Sequence, residues 1–177
     1  MYKRQALLGF LATSIVFLRK YGYNLWLWFD LMMPSILFGL IILQLANFMM
    51  QFSLGTPLGL DIPNDHSLAE YVEYRYRPTG FEAYQYFQPV ALYQAFAYSI
   101  VFMISVLCLL INRKYKFLAE GTVFLFSVIL MAIIRFGIGF MYFSVNKDML
   151  LYPMQWIALT VMIATVFIYV VKRFQHN

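Results

Sequence analysis

The sequence predicts an all-α fold: a polytopic membrane helix bundle of about five transmembrane helices with one long extracytoplasmic loop. Three observations predict it. Hydrophobic residues make up 63% of the 177 and charged residues only 12%, where a soluble domain carries about 25% charge. Mean hydropathy is +0.71, as expected for an integral membrane chain. Most of the basic residues stand in small groups beside apolar runs, at Arg19-Lys20, Arg113-Lys114-Lys116 and Lys172-Arg173. Residues so placed set topology and meet anionic head groups. The net charge of +5 is therefore no sign of nucleic-acid binding. The whole of 1–177 reads as a single transmembrane domain.

The first apolar run, 5–18, is short and follows Met-Tyr-Lys-Arg, in the manner of a signal peptide. No small-x-small cleavage site follows it, so it reads as a span. The second, 25–50, exceeds the roughly 20 residues a helix needs to cross the hydrocarbon. Asp30 near its start is expected to cap that helix. Residues 51–88 form the one long polar segment, bounded by the turn signals GTPLG and RPTG. A polar loop of this length cannot lie in lipid, so it lies on one surface or folds back over the bundle. The third and fourth runs, 89–111 and 121–143, are again long enough. The fifth, 150–171, carries Pro153 near its start, where a helix tolerates proline best. Cys108 lies inside the third run; as the single cysteine it can form no intramolecular disulfide.

Basic residues orient the spans. Arg19, Lys20, Arg113, Lys114, Lys116, Lys172 and Arg173 fall on one side, which is expected to be cytoplasmic together with the C-terminus. The 51–88 loop then lies outside. With that topology, every span places polar groups near its outer end: Arg4 and Gln5, Gln44 and Asn47, Tyr93 and Gln94, Arg135, and Gln155 with Trp156. Arg135 lies about 12 Å from the end of its span at 1.5 Å per residue. A charge inside a span costs about 2.5–3.5 kcal/mol on insertion scales and usually faces a cavity or bundle interior. Gly139, one turn on, is expected to leave space beside it. Against this shared site stand blander readings: a snorkelling arginine, interhelical hydrogen bonds for Gln44 and Asn47, and interface-belt aromatics for Tyr93 and Trp156.

His66 follows Asp65 in the loop, but nothing near it in sequence supplies a nucleophile, so it reads as a surface residue. HExxH, CxxC, GxSxG and phosphate-cradling glycine loops are absent. No metal and no cofactor is expected. A small transporter is disfavoured because no acid stands at midspan.

The ordered motifs resemble the phosphatidylglycerol–prolipoprotein diacylglyceryl transferases of bacteria. RQALLG at 4–9 resembles the family's HGGLLG, and DLMMP at 30–34 its DLLAP. LQLANFMMQFSLG at 43–55 resembles GRIGNFINGELWG, and FQPVALYQA at 87–95 resembles RHPSQLYEA. LMAIIRFGIGFMY at 130–142 resembles YGLFRFIVEFFR with Arg135-Phe136 in register, and MQW at 154–156 resembles GQW. The resemblance implies a bundle in the bacterial cytoplasmic membrane whose site opens to the outer leaflet. There the family moves diacylglycerol from phosphatidylglycerol to the lipobox cysteine of a prolipoprotein.

On this resemblance the substrate-binding positions are Arg4, Gln44, Asn47, Gly55, Tyr93, Gln94 and Arg135. Several ionisable family positions are changed. Arg4 stands for histidine and Gln44 for arginine. Met50 and Phe52 stand for asparagine and glutamate, Phe87 and Gln88 for arginine and histidine, and Gln94 and Gly139 for glutamates. Two expectations follow: a divergent, N-terminally shortened transferase, or a catalytically degenerate lipid-binding or assembly subunit. A partner membrane chain supplying the helices that precede Met1 in the family is a further expectation.

Overall fold

A computed structural model gives the architecture. It describes residues 2–59, 68–142 and 153–176, with the backbone alone at 2–8, 10, 11, 59, 175 and 176. Five helices form: α1 Tyr2–Lys20, α2 Leu25–Met49, α3 Val90–Tyr115, α4 Thr122–Ile138 and α5 Pro153–His176. Among the described residues four are long and apolar enough to cross a membrane, namely α2, α3, α4 with its following turn to Met141, and α5. The first predicted span is helical throughout but is not one of the four.

The helices pack as two antiparallel pairs, α2 with α3 and α4 with α5, joined through α3 and α4. Met33 and Leu37 of α2 and Val101 of α3 form the buried centre, against Phe124, Val128 and Met131 of α4. Beside it the Ser105 and Ser127 hydroxyls meet at 2.6 Å, both fully enclosed. Such a bond between helices in lipid is worth about 0.6 kcal/mol. Phe38, Leu107 and Phe167 stay exposed on the outer faces, where lipid tails solvate them as well as protein would.

Asp30 does not cap its own helix. Asn24 does that, its side-chain oxygen accepting the Trp26 N–H at 3.0 Å. Asp30 is buried and reaches across to α4, where its two oxygens accept the N–H groups of Gly121 at 2.6 Å and Phe124 at 2.7 Å. A helix start leaves four N–H groups unpaired, and α2 thereby satisfies two at the start of α4.

The 51–88 segment is not merely loop. It folds into a small antiparallel sheet of β1 Pro57–Gly59, β3 Tyr86–Phe87 and β2 Glu70–Tyr71, in that order. Arg77 braces it, donating from Nε to the Val72 carbonyl at 2.9 Å and from Nη1 to the Glu82 carbonyl at 2.8 Å. Backbone bonds fasten it to the bundle: Gly55 N–H to the Gln88 carbonyl at 3.0 Å, and Thr56 N–H to the Met141 carbonyl at 3.1 Å. Asp61, Asp65, His66 and Lys147 lie outside the described residues.

Glu70 on β2 is 6% exposed, and neither carboxyl oxygen has a partner among the described residues. Burial alone pushes its pKa up to about 7 from 4.5. The neutral acid is the form that fits the fold. Its stabilising effect is complete below the ordinary value of 4.5 and is lost as pH rises through about 7. The full difference is about 3 kcal/mol. The unfolding midpoint of the detergent-solubilised chain should therefore fall between about pH 5 and pH 8. Glu70→Gln should flatten that profile; an equal slope in the variant would assign it to another group.

Candidate functional site

Arg135 is carried by the last turns of α4, and its guanidinium turns into the bundle. Nη1 donates to Gln94 Oε1 on α3 at 2.9 Å and contacts the Tyr142 hydroxyl at 3.4 Å. The Tyr142 hydroxyl donates to the same Gln94 oxygen at 2.9 Å, and its ring lies 5.7 Å from the guanidinium carbon. Gln94 Nε2 donates to the Tyr98 hydroxyl at 2.8 Å. One amide, fully buried, thus orients an arginine and two tyrosines.

A cavity of about 160 Å³ opens beside this network, lined by Ser53, Arg135, Gly139, Tyr142, Met154 and Gln155. It has room for a phosphate group rather than a whole lipid. Gly139 does not simply leave a gap. A Cβ there would meet Gln155 Cγ at 2.6 Å and Nε2 at 2.9 Å, so the glycine admits α5 to close approach. Gln155, itself fully buried, donates to the Phe136 carbonyl at 3.3 Å.

The electrostatics follow from what is missing. Among the described residues no carboxylate pairs with Arg135; the one ion pair is Arg75 with Glu73 in the 51–88 segment, at 2.8 Å and largely exposed. The partners of Arg135 are a neutral amide and a neutral phenol. Among the described residues, then, a half-buried guanidinium with neutral partners stands beside a cavity, an arrangement suited to an anion.

Of the residues predicted from sequence, Arg135 and Gln94 meet here. Gln44 and Asn47 bond to each other at 3.2 Å and share no hydrogen bond with the Arg135 network among the described residues. Tyr93 turns to the 51–88 segment, donating to the Leu68 carbonyl at 3.3 Å. Gly55 sits in the strip that fastens the sheet, paired with Tyr142 across an isolated antiparallel bridge. The side chain of Arg4 lies outside the described residues. Phe87, at a family cation position, is fully enclosed, whereas Phe52, at a family glutamate position, is 75% exposed. Tyr98 and Tyr142 were missed. Tyr98 carries a signal, one turn after Gln94 on the same face of α3; Tyr142 carries none, since it lies beyond the end of α4 in extended backbone.

Comparison with known proteins agrees with the motif order. The family model for prolipoprotein diacylglyceryl transferase matches residues 5–171. A curated relative from Shouchella clausii (strain KSM-K16), phosphatidylglycerol–prolipoprotein diacylglyceryl transferase, is 29% identical over 171 residues. That alignment covers 95% of this chain and 58% of the relative, so the chain spans less than two thirds of the relative's length. No solved structure matches.

Proposed function

This chain belongs to the prolipoprotein diacylglyceryl transferase family, and from that premise we propose that it transfers diacylglyceryl from phosphatidylglycerol to a prolipoprotein cysteine. The reaction takes place at the outer face of the bacterial cytoplasmic membrane. The observation that carries this reading is Arg135, without an acidic partner among the described residues, beside its cavity and framed by Gln94 and Tyr142.

The transfer forms a carbon–sulfur bond and breaks the carbon–oxygen bond to phosphate. Glycerol phosphate leaves with one more negative charge, and the thiol gives up its proton. Arg135 supplies what the leaving phosphate needs: a fixed charge and a planar fork for two oxygens, in a setting that excludes water. The lining holds no carboxylate or imidazole among the described residues, so the thiol proton leaves to a group outside that lining. The test is rescue of a strain depleted of its own transferase. Growth with lipidated lipoprotein is expected. A chain that inserts and retains phosphatidylglycerol, yet fails to rescue, would leave the lipid-binding subunit in its place.

The proposed topology has the C-terminus in the cytoplasm and the sheet outside, supported by the basic flanks Arg113, Lys114, Lys116, Lys172 and Arg173. In a Cys108→Ser background, Thr79→Cys should react with an impermeant maleimide in intact cells. Gln175→Cys should react only after permeabilisation. The reverse pattern would turn the Arg135 cavity to the cytoplasmic leaflet and remove this reading.

A further inference from the structure

At the opposite end of the bundle from the sheet, α2 and α3 diverge around a groove of about 700 Å³. Its walls are apolar, with Leu27 and Leu31 from α2 facing Val106 and Leu110 from α3, and its rim carries Arg113 and Lys116. The rim is built rather than frayed. Asn112 accepts the Leu118 N–H at 2.8 Å and donates to the Leu118 carbonyl at 3.3 Å, closing the turn. Lys116 is held in the left-handed region at φ 48° as the helix cap, its N–H bonded to the Asn112 carbonyl at 2.8 Å. A non-glycine residue keeps such a conformation only where its surroundings impose it. The acid on the rim, Glu120, accepts a hydrogen bond from Asn24, whereas neither Arg113 nor Lys116 has an acidic partner among the described residues.

We infer that this groove holds one anionic phospholipid of the leaflet opposite the Arg135 cavity, with its phosphate at Arg113 and Lys116 and an acyl chain along Leu27, Leu31 and Leu110. The apolar walls match a hydrocarbon chain, and the two exposed cations at the rim match a phosphodiester. A neutral helix from a second copy would satisfy the walls but leave both cations without partners. The site is independent of Arg135 and of the transfer reaction. It is a bound-lipid site that joins two helices rather than a substrate site.

The test is native mass spectrometry of the purified chain titrated with phosphatidylglycerol and, in parallel, phosphatidylcholine. Arg113 and Lys116 are both exposed, so Arg113→Gln with Lys116→Gln leaves the packing untouched. Each basic residue near an anionic surface is worth about a fivefold change in affinity, so the double variant should bind phosphatidylglycerol about 25-fold more weakly. Phosphatidylcholine should bind poorly to both forms. Arg19→Gln with Lys20→Gln, a basic pair outside the groove, should leave affinity unchanged. Leu31→Trp, which fills the wall, should remove binding while Arg113 and Lys116 remain. Equal weakening by the Arg19 and Lys20 pair would overturn the inference in favour of general surface charge. Dimers broken by Leu31→Trp would overturn it in favour of a second copy. Carrying each variant on Arg135→Leu separates the two sites, because only the groove's lipid should respond to Arg113 and Lys116.

Discussion

Replacing Arg135 with leucine is expected to leave the chain inserted and folded but with less of the phosphatidylglycerol proposed to sit at the Arg135 cavity. Two effects oppose each other. Removing the charge relieves an insertion penalty of about 2.5–3.5 kcal/mol, so stability should hold or rise. Removing the donor loses hydrogen bonds to a charged oxygen, each worth about 1.5–3 kcal/mol, and retention should fall at least tenfold. Arg135→Lys keeps the charge and loses the fork, so it should fall between. Gln94→Glu gives the sharper result. It sets a carboxylate where the amide oxygen lies 2.9 Å from Nη1, supplying a counter-ion that no described residue of the wild type provides. That carboxylate should displace the lipid phosphate while preserving the fold. Lipid mass spectrometry on the four proteins is the measurement. Equal retention in all of them would leave Arg135 as a snorkelling side chain with no ligand.

The second large effect is expected at Gly55. A Cβ there would lie 2.5 Å from Val90 Cγ2, 2.6 Å from the Gln88 carbonyl oxygen and 2.7 Å from Gln88 Cβ. The carbonyl cannot turn aside, because it accepts the Gly55 N–H itself and the N–H of Val90. Gly55→Ala should cost about 1–3 kcal/mol from overpacking alone, and it should loosen the bridge that positions Tyr142. A lower unfolding midpoint together with weaker phosphatidylglycerol retention is the expected pair of results. Gly39→Ala is the control, since nothing lies within 4 Å of a Cβ there. A helix interior favours alanine over glycine by about 0.8–1 kcal/mol, so this variant should be as stable as wild type or more so. If Gly55→Ala behaves like Gly39→Ala, the sheet is not fastened at Gly55.

The four apolar helices were legible because lipid imposes one rule on every residue of a span, and that rule shows as composition. Arg135 was legible for the same reason, as the exception to it. The partner Gln94 came with it. What the sequence did not reveal is azimuth. Depth along a span is one coordinate; Gln44 with Asn47, Tyr93 and Arg135 were expected to share it, yet they meet different neighbours. Tyr93 therefore meets Leu68 rather than Arg135, while Tyr98 and Tyr142 complete the network unannounced. The sheet was illegible for another reason. Its strands are two or three residues long, too short for alternation to register. Its place is set by backbone bonds from Gly55 and Thr56, which any side chain could make except where Gly55 leaves no room. Gly139 had the opposite fate: its small size was visible, but the side chain that occupies the space, Gln155, comes from the next helix.

The Asp30 clasp bears on the order in which the protein is built. A ribosome delivers α2 well before α4, so during synthesis the carboxylate exists without the N–H groups of Gly121 and Phe124 that it later accepts. Until then it needs water, which keeps the start of α2 at the membrane surface. The arrival of residues 121–124 removes that need and draws the two helix ends together. The clasp therefore acts as a docking signal carried from an early segment to a late one. It works across the α3–α4 turn without depending on it. Two separately translated halves, divided within 116–119, should recognise each other in the membrane. Asp30→Asn halves, whose amide can offer only one oxygen to the two N–H groups, should pair less completely.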